Sequence, residues 1–255
     1  MIEFPTVAPG DDLVVSATTY VTYRTCPEQA MGRLRGSYPA DTRQSFRGGL
    51  AHRVFARHLT SGPIDAEEFE QVCREEIGQG LNASVARLSL RPSELRGLVE
   101  EARELYARFT RFPTEGFRSA EVALEAEPAP GLVLRGKVDA VFEESGERRL
   151  VDWKTGSLRS ARHQLIFYSL LWALERDELP VRVEAISVAT GERVEDTPDR
   201  ADLEACAEMV ADLATRARAA FARDVLLARV AGPWCRYCAV LEDCSEGLSA
   251  APRTR

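Results

Sequence analysis

Two apolar, β-branched runs, Leu132 to Phe142 and Arg148 to Lys154, flank the polar tetrad Glu144-Ser145-Gly146-Glu147. Such runs around a short glycine-containing turn read as a β-hairpin. With Ser145 and Gly146 as the two loop residues, pairing is symmetric about them. Asp139 then stands directly opposite Asp152, with Lys154 two residues further along the same face. Like charges directly opposed on a sheet repel, because their Cβ atoms are only about 4.5–5.5 Å apart, so something must neutralise them. A divalent cation meets the need. Mg²⁺ or Mn²⁺ takes one or two protein carboxylates and fills its remaining positions with water and phosphate oxygens.

Composition isolates Lys154. The chain has two lysines, Lys137 and Lys154, against thirty-one arginines. A composition that uses arginine almost everywhere else keeps a compact ammonium beside the paired carboxylates, where a guanidinium is no substitute. In the same register Lys137 lies across from Lys154, as a second phosphate contact or a surface lysine.

The formal net charge is −7, which argues against a generic nucleic-acid binder with a basic domain but not against an enzyme with a basic cleft. Arginine is dense at Arg33, Arg35, Arg43, Arg47, Arg53 and Arg57, and again at Arg159 and Arg162, a candidate phosphate track or a solvated helix face. At 45% apolar content the chain can bury a sizeable core. It carries no charged-then-apolar leader and no apolar run long enough to span a bilayer, which reads as a soluble cytoplasmic protein.

Along the chain, residues 1–12 read as a loose leader. Ser16 to Cys26 opens on a cap candidate and stops at Cys26-Pro27, a helix boundary. Phe46 to Leu59 has helical spacing and carries His52 after Gly48-Gly49; His58 projects to another face and is given no role. Ala66 to Leu81 and Pro92 to Phe112 read as amphipathic helices with acidic first turns, forming an insertion or lid. Arg118 to Glu127 reads as the first strand of the core. After the hairpin come a helix over Ser157 to Arg176, which stacks Gln164 and Tyr168 on one face, a strand over Val181 to Ala189, and a long helix over Asp199 to Arg223.

Six cysteines in a chain without a secretion signal point to metal ligands or core positions rather than disulfides. Cys73 and Cys206 fall at core-facing helical positions. Cys235, Cys238 and Cys244 form C-x-x-C-x5-C, one thiolate short of a tetrahedral site, and Cys26 is the natural fourth. Such a site would clasp the two ends of the chain and remove loop entropy from the unfolded state. Spacing accommodates zinc or iron-sulfur equally.

In order, Gly136-x-x-Asp139, then Asp152-x-Lys154-Thr155-Gly156, then Gln164-x-x-x-Tyr168 resembles the RecB-like exonuclease branch of the PD-(D/E)XK nuclease superfamily. The resemblance implies an α/β restriction-endonuclease-like core, a mixed central sheet flanked by helices with a helical insertion. It implies one nuclease domain over 1–255: N-terminal helices at 13–60 with Cys26 and His52, the insertion at 61–115, the core at 116–225 and the cysteine cluster at 226–255. It further implies that Asp139, Asp152 and Lys154 are catalytic and that His52, Asp139 and Asp152 hold the divalent cation, with Glu121 as an auxiliary ligand. Gln164 and Tyr168 would contact the DNA backbone or brace the metal site. Similarity to CRISPR-associated RecB-like and AddB-type nucleases implies a 4Fe-4S cluster on Cys26, Cys235, Cys238 and Cys244, in preference to zinc.

The expected function is Mg²⁺- or Mn²⁺-dependent hydrolysis of DNA, at single-stranded ends by resemblance. The chain lacks a G-x-x-x-x-G-K-[ST] pattern, so any motor is supplied in trans by a helicase or a CRISPR or DNA-repair partner. The alternative is a catalytically silent scaffold of the same fold that binds DNA or such a partner; loss of an acidic residue or of the lysine would mark it, and all are present.

Overall fold

A computed structural model describes residues 2–180 and 182–250. The chain enters on a short strand, β1 (Leu13–Ser16), that runs straight into α1 (Ala17–Thr25). Ser16 makes the switch: its extended backbone ends the strand and its hydroxyl accepts the Thr19 N–H as the helix N-cap. α2 (Pro27–Leu34) follows, with Pro27 in its first turn where no N–H is needed. α3 (Arg43–Ser61) is capped by the Thr42–Ser45 box. The two helices expected over Ala66 to Leu81 and Pro92 to Phe112 are α4 (Phe69–Gly80) and α6 (Pro92–Phe109), and a short α5 (Asn82–Arg87) lies between them.

Next come β2 (Phe117–Ala129), β3 (Leu132–Glu144), β4 (Glu147–Lys154), α7 (Ala161–Arg176), β5 (Arg182–Ser187), β6 (Arg193–Asp196) and α8 (Arg200–Arg223). A 3-10 turn over Pro233–Tyr237 and α9 (Ser245–Ala250) complete the described chain. The expected strand over Val181 to Ala189 is β5, and Val181 lies outside the described residues. Arg118 to Glu127 falls within β2 and is not the first strand, because β1 precedes it and pairs parallel with β3. β1 is four residues long with two of them facing outward, too short for a periodic signal. β6, Arg-Val-Glu-Asp, is an edge strand with a charged sequence.

The strands form a mixed, six-stranded sheet. β2 pairs antiparallel along β3 from Ala129↔Leu132 to Phe117↔Phe142, filling one edge of that strand. The opposite edge is shared. β1 takes Leu132 to Arg135 in parallel and β4 takes Ala140 to Glu144 antiparallel. Between them the sheet forks, leaving Gly136 to Asp139 without a strand on that side. β4 then pairs parallel with β5, whose outer edge carries β6 antiparallel. At the β3–β4 turn Ser145 and Gly146 both have positive φ, the two-residue turn whose twist matches a hairpin.

Apolar alternation along the strands builds two cores. On one face Leu132, Leu134, Leu150, Val183 and Ala185 pack with α1, α2, α7 and α8. On the other Ala140, Phe142, Val151, Trp153 and Ile186 pack with α3, α4 and α6. Phe109 links this second core: its ring stacks on Phe55 of α3 at 4.3 Å and meets Trp153 of β4 edge-on at 5.0 Å. Cys73 and Cys206 are buried one in each core, where burial pushes each thiol up to about 12. Among the described residues no helix is long and apolar enough to cross a membrane.

Candidate active site at the strand fork

Asp139 lies at the fork, where β3 has lost β1 and not yet gained β4. The β3–β4 ladder ends at Ala140↔Val151, one pair short of the expected Asp139–Asp152 opposition. The reason is local. The Asp139 side chain itself accepts the Trp153 N–H at 2.7 Å, taking a donor that a ladder would use. Lys137 therefore does not face Lys154. It sits beside Ala123 of β2 and forms an ion pair with Glu121.

Within Asp152-Trp153-Lys154 the strand alternates. Trp153 is 3% exposed in the α3/α6 core, so Asp152 and Lys154 turn to the opposite face. There α7 meets them. Gln164 accepts from Lys154 Nζ at 2.8 Å through Oε1, and through Nε2 it faces Asp152 Oδ1 at 3.3 Å and donates to the Tyr168 hydroxyl at 2.7 Å. Tyr168 reaches this position because Gly136 has no side chain: a Cβ there would stand 3.1 Å from the ring.

From α3, His52 Nδ1 comes to 3.2 Å from Asp139 Oδ1. Gly48, one turn earlier on the same face, lets the helix approach; a Cβ there would meet Thr155 Oγ1 at 3.2 Å. The structure thus brings together His52, Asp139, Asp152, Lys154, Gln164 and Tyr168. Glu121 lies level with Asp139 on β2, between the pairs Ala120↔Ala140 and Val122↔Val138, with a left-handed backbone (φ 53°). Its carboxylate is held by Lys137. His58 is elsewhere, bonded to the Tyr106 hydroxyl at 2.9 Å.

Electrostatics separate the two aspartates. Burial, with the Asp139 charge adding and Lys154 opposing, pushes Asp152 up to about 6. Burial would raise Asp139 too, but His52, Lys154 and the Trp153 N–H together hold it below the usual carboxylate range. Burial works against His52 as a cation, yet the Asp139 carboxylate raises it overall. Burial raises the Tyr168 hydroxyl, with Asp152 next and Asp139 and Glu121 adding, so that phenol remains neutral.

Among the described residues, no group of three or more His, Cys, Asp or Glu side chains closes on a common point as a metal site. The donor set nevertheless fits a hard cation. Asp152 Oδ2 is buried and has no hydrogen-bond donor among the described residues. Lys154 Nζ forms an ion pair with it at 2.7 Å. Even with that ammonium beside it, burial and the Asp139 charge leave Asp152 disfavoured as an anion, a balance that a second, divalent cation between the two carboxylates would shift.

The four clustered cysteines line a second, small cavity with Trp234, Val240, Leu241 and Gly247. All four are free thiols, and three of the sulfurs accept a backbone N–H: Cys26 from Val230, Cys235 from Gly232 and Cys244 from Gly247, with the Cys244 thiol also donating to Glu246 Oε2 at 3.6 Å. Four cysteines around one cavity, three with a backbone donor, are of the residue type that ligates a metal cluster, although their sulfurs do not close on a common point.

The candidate phosphate track is mostly occupied. Arg35, Arg43, Arg47, Arg53, Arg57 and Arg162 pair with Glu28, Glu94, Glu101, Glu76, Glu75 and Asp196 respectively. For Arg43, Arg47, Arg53 and Arg57 the cause is packing, since α3 lies against α4 and α6, whose acidic residues face it; Arg35 pairs with Glu28 of α2 and Arg162 of α7 with Asp196 of β6. Two groups escape a motif reading, the Trp153 N–H and the Gly48–Thr155 approach. The period-2 pattern Asp-Trp-Lys is a signal for the first, since it forces the ring and the two charges to opposite faces.

A forked mixed sheet with helices on both faces and an Asp…Asp-x-Lys set at the fork defines a nuclease-type α/β fold. The PD-(D/E)XK nuclease superfamily model matches residues 14–245, and the chain belongs to that superfamily. No curated protein matches it. Among solved structures it is similar to one described as "Putative exonuclease" from Eubacterium rectale, with a TM-score of 0.56 and 14% identity over 94% of this chain and 89% of that one. A looser match is SSO0001, with a TM-score of 0.38 and 14% identity over the same shares, 94% and 89%.

Proposed function

We propose that this protein is a Mg²⁺- or Mn²⁺-dependent deoxyribonuclease that hydrolyses phosphodiester bonds at single-stranded DNA ends. The observation that carries the reading is the buried pair Asp139 and Asp152 at the strand fork, with Lys154 in ion-pair contact with Asp152. Asp139 and Asp152 would hold the cation, with His52 completing the set and Glu121 as an auxiliary ligand if it leaves Lys137. Bound there, the cation would supply Lewis acidity and an activated water near neutral pH.

The chain's own residues do the rest. Lys154, fixed by Gln164, presents a positive charge where charge develops on the phosphate in the transition state. Gln164 holds Lys154 and Asp152 at once, and Tyr168 holds Gln164, so both reacting-site charges are oriented before substrate arrives. In this reading Gln164 and Tyr168 brace the centre, and their contact with the DNA backbone is secondary. Cys26, Cys235, Cys238 and Cys244 carry a 4Fe-4S cluster as a structural clasp between the N- and C-terminal parts of one domain. We place the protein in the cytoplasm, where reduced thiols persist, working with a helicase or a CRISPR or repair partner in trans.

The description of the Eubacterium rectale neighbour supports exonuclease action. The test is topological: with Mn²⁺, an end-labelled linear strand is degraded stepwise while a circular strand of the same sequence survives. Equal loss of both forms would make the enzyme an endonuclease, and survival of both would leave the scaffold reading.

A further inference from the structure

Between α3 and α6 lies an open cleft of about 510 Å³, lined by Arg43, Gln44 and Arg47 from α3 and by Glu94, Gly97, Leu98 and Glu101 from α6. It adjoins the fork. On α3, Gln44, Gly48 and His52 recur every four residues and so share one face. His52 is at Asp139, Gly48 is against Thr155, and Gln44 Nε2 is 3.9 Å from where a Cβ on Gly156 would stand. The cleft therefore begins roughly 12 Å along the helix from His52, a few nucleotides of strand away from the aspartates.

Its charges are held in exchangeable pairs. Arg43 bonds Glu94 and Arg47 Nη1 bonds Glu101 at 2.9 Å. Each pair has one open member, Arg43 at 58% and Glu101 at 51%, and one half-buried member, Glu94 at 18% and Arg47 at 26%; with one partner in solvent such a pair contributes on the order of 1 kcal/mol. Arg47 Nε is enclosed and has no hydrogen-bond partner among the described residues. A guanidinium whose Nη1 is spent on a half-exposed carboxylate can turn that edge to a phosphate, and a shift of the side chain toward the cleft would bring the enclosed, unmet Nε into the same contact. On the opposite wall Gly97 has open space where a side chain would stand, which leaves room for a strand.

We propose that this cleft is a phosphate subsite for the strand leading to or from the fork, in which Arg47 and Arg43 exchange Glu101 and Glu94 for a backbone phosphate. The proposal rests on the nuclease reading for its ligand. It makes the acidic residues competitors of the substrate, so removing an arginine and removing its glutamate act in opposite directions. A pair that only braces α3 against α6 is broken equally by either change.

The experiment measures binding of fluorescein-labelled octathymidylate by anisotropy in EDTA, with wild type, Arg47→Gln and Glu101→Gln compared over a salt series. Folding of each variant is checked by its thermal melt, and strand cleavage by wild type in Mn²⁺ is followed separately. Arg47→Gln should weaken binding by about tenfold and reduce the salt slope by roughly 0.7, while Glu101→Gln tightens binding. Shifts of the same sign, or none in either variant, overturn the subsite even if wild type cleaves. Opposite shifts with no wild-type cleavage keep the subsite and remove the nuclease reading instead.

Discussion

The Trp153 N–H donates to Asp139 Oδ2 at 2.7 Å, so the backbone of β4 holds a candidate-site carboxylate of the neighbouring strand β3. The same residue sends its ring into the α3/α6 core against Phe109. One residue thus ties the packing of the helical insertion to the position of Asp139, Asp152 and Lys154.

Trp153→Ala should destabilise the protein by about 3–5 kcal/mol, read as a drop in the denaturant midpoint. Trp153→Phe, which keeps an aromatic ring against Phe109, should cost well under half of that. Equal losses would mean the ring does not anchor β4.

Asp152→Asn should trade function for stability. Activity falls by at least about a hundredfold, as for loss of a central transition-state group. The metal-free protein melts higher, because Asp152 is a buried charge already pushed up to about 6. Melts in EDTA read the second effect; a lower melting temperature for the variant would contradict it.

His58 gives a pH signature away from the site. Burial lowers its pKa, so the unfolded chain binds the proton more readily than the folded one. Its contribution to stability is complete above the ordinary histidine range and is lost as pH falls through it. Melts between about pH 7.5 and pH 5 should lose stability more steeply in wild type than in His58→Phe, which still packs against Phe109.

At the cysteine clasp, anaerobically purified protein should contain about four iron and four sulfide per chain, and Cys244→Ser should lose most of both. Cys73→Ser should keep the iron and lose stability instead, since it places a hydroxyl in a core position that is 0% exposed. Zinc in place of iron would replace the cluster while leaving the clasp.

Much of this site could be read before the structure because a hairpin carries its own register. Ser145 and Gly146 fix the pairing of β3 and β4 as far as Ala140↔Val151, and strand alternation puts Asp152 and Lys154 on one face; Asp139 lies one step past the last pair. The fork was not legible: β1 pairs with β3 across more than a hundred residues, and no local pattern encodes that partner. The arginines of α3 could be counted, but their pairing with α4 and α6 depends on how those helices pack. Lys137 was misplaced for a related reason, since a side chain, Asp139, ends the ladder that strand symmetry alone would extend.

The most direct test is cleavage of end-labelled single-stranded DNA by wild type and Asp152→Ala side by side, in Mn²⁺, in Mg²⁺ and in EDTA. The account predicts degradation by wild type with either cation, none in EDTA, and at least about a hundredfold less by the variant. Cleavage that persists in EDTA or in Asp152→Ala would contradict a metal centre at the strand fork.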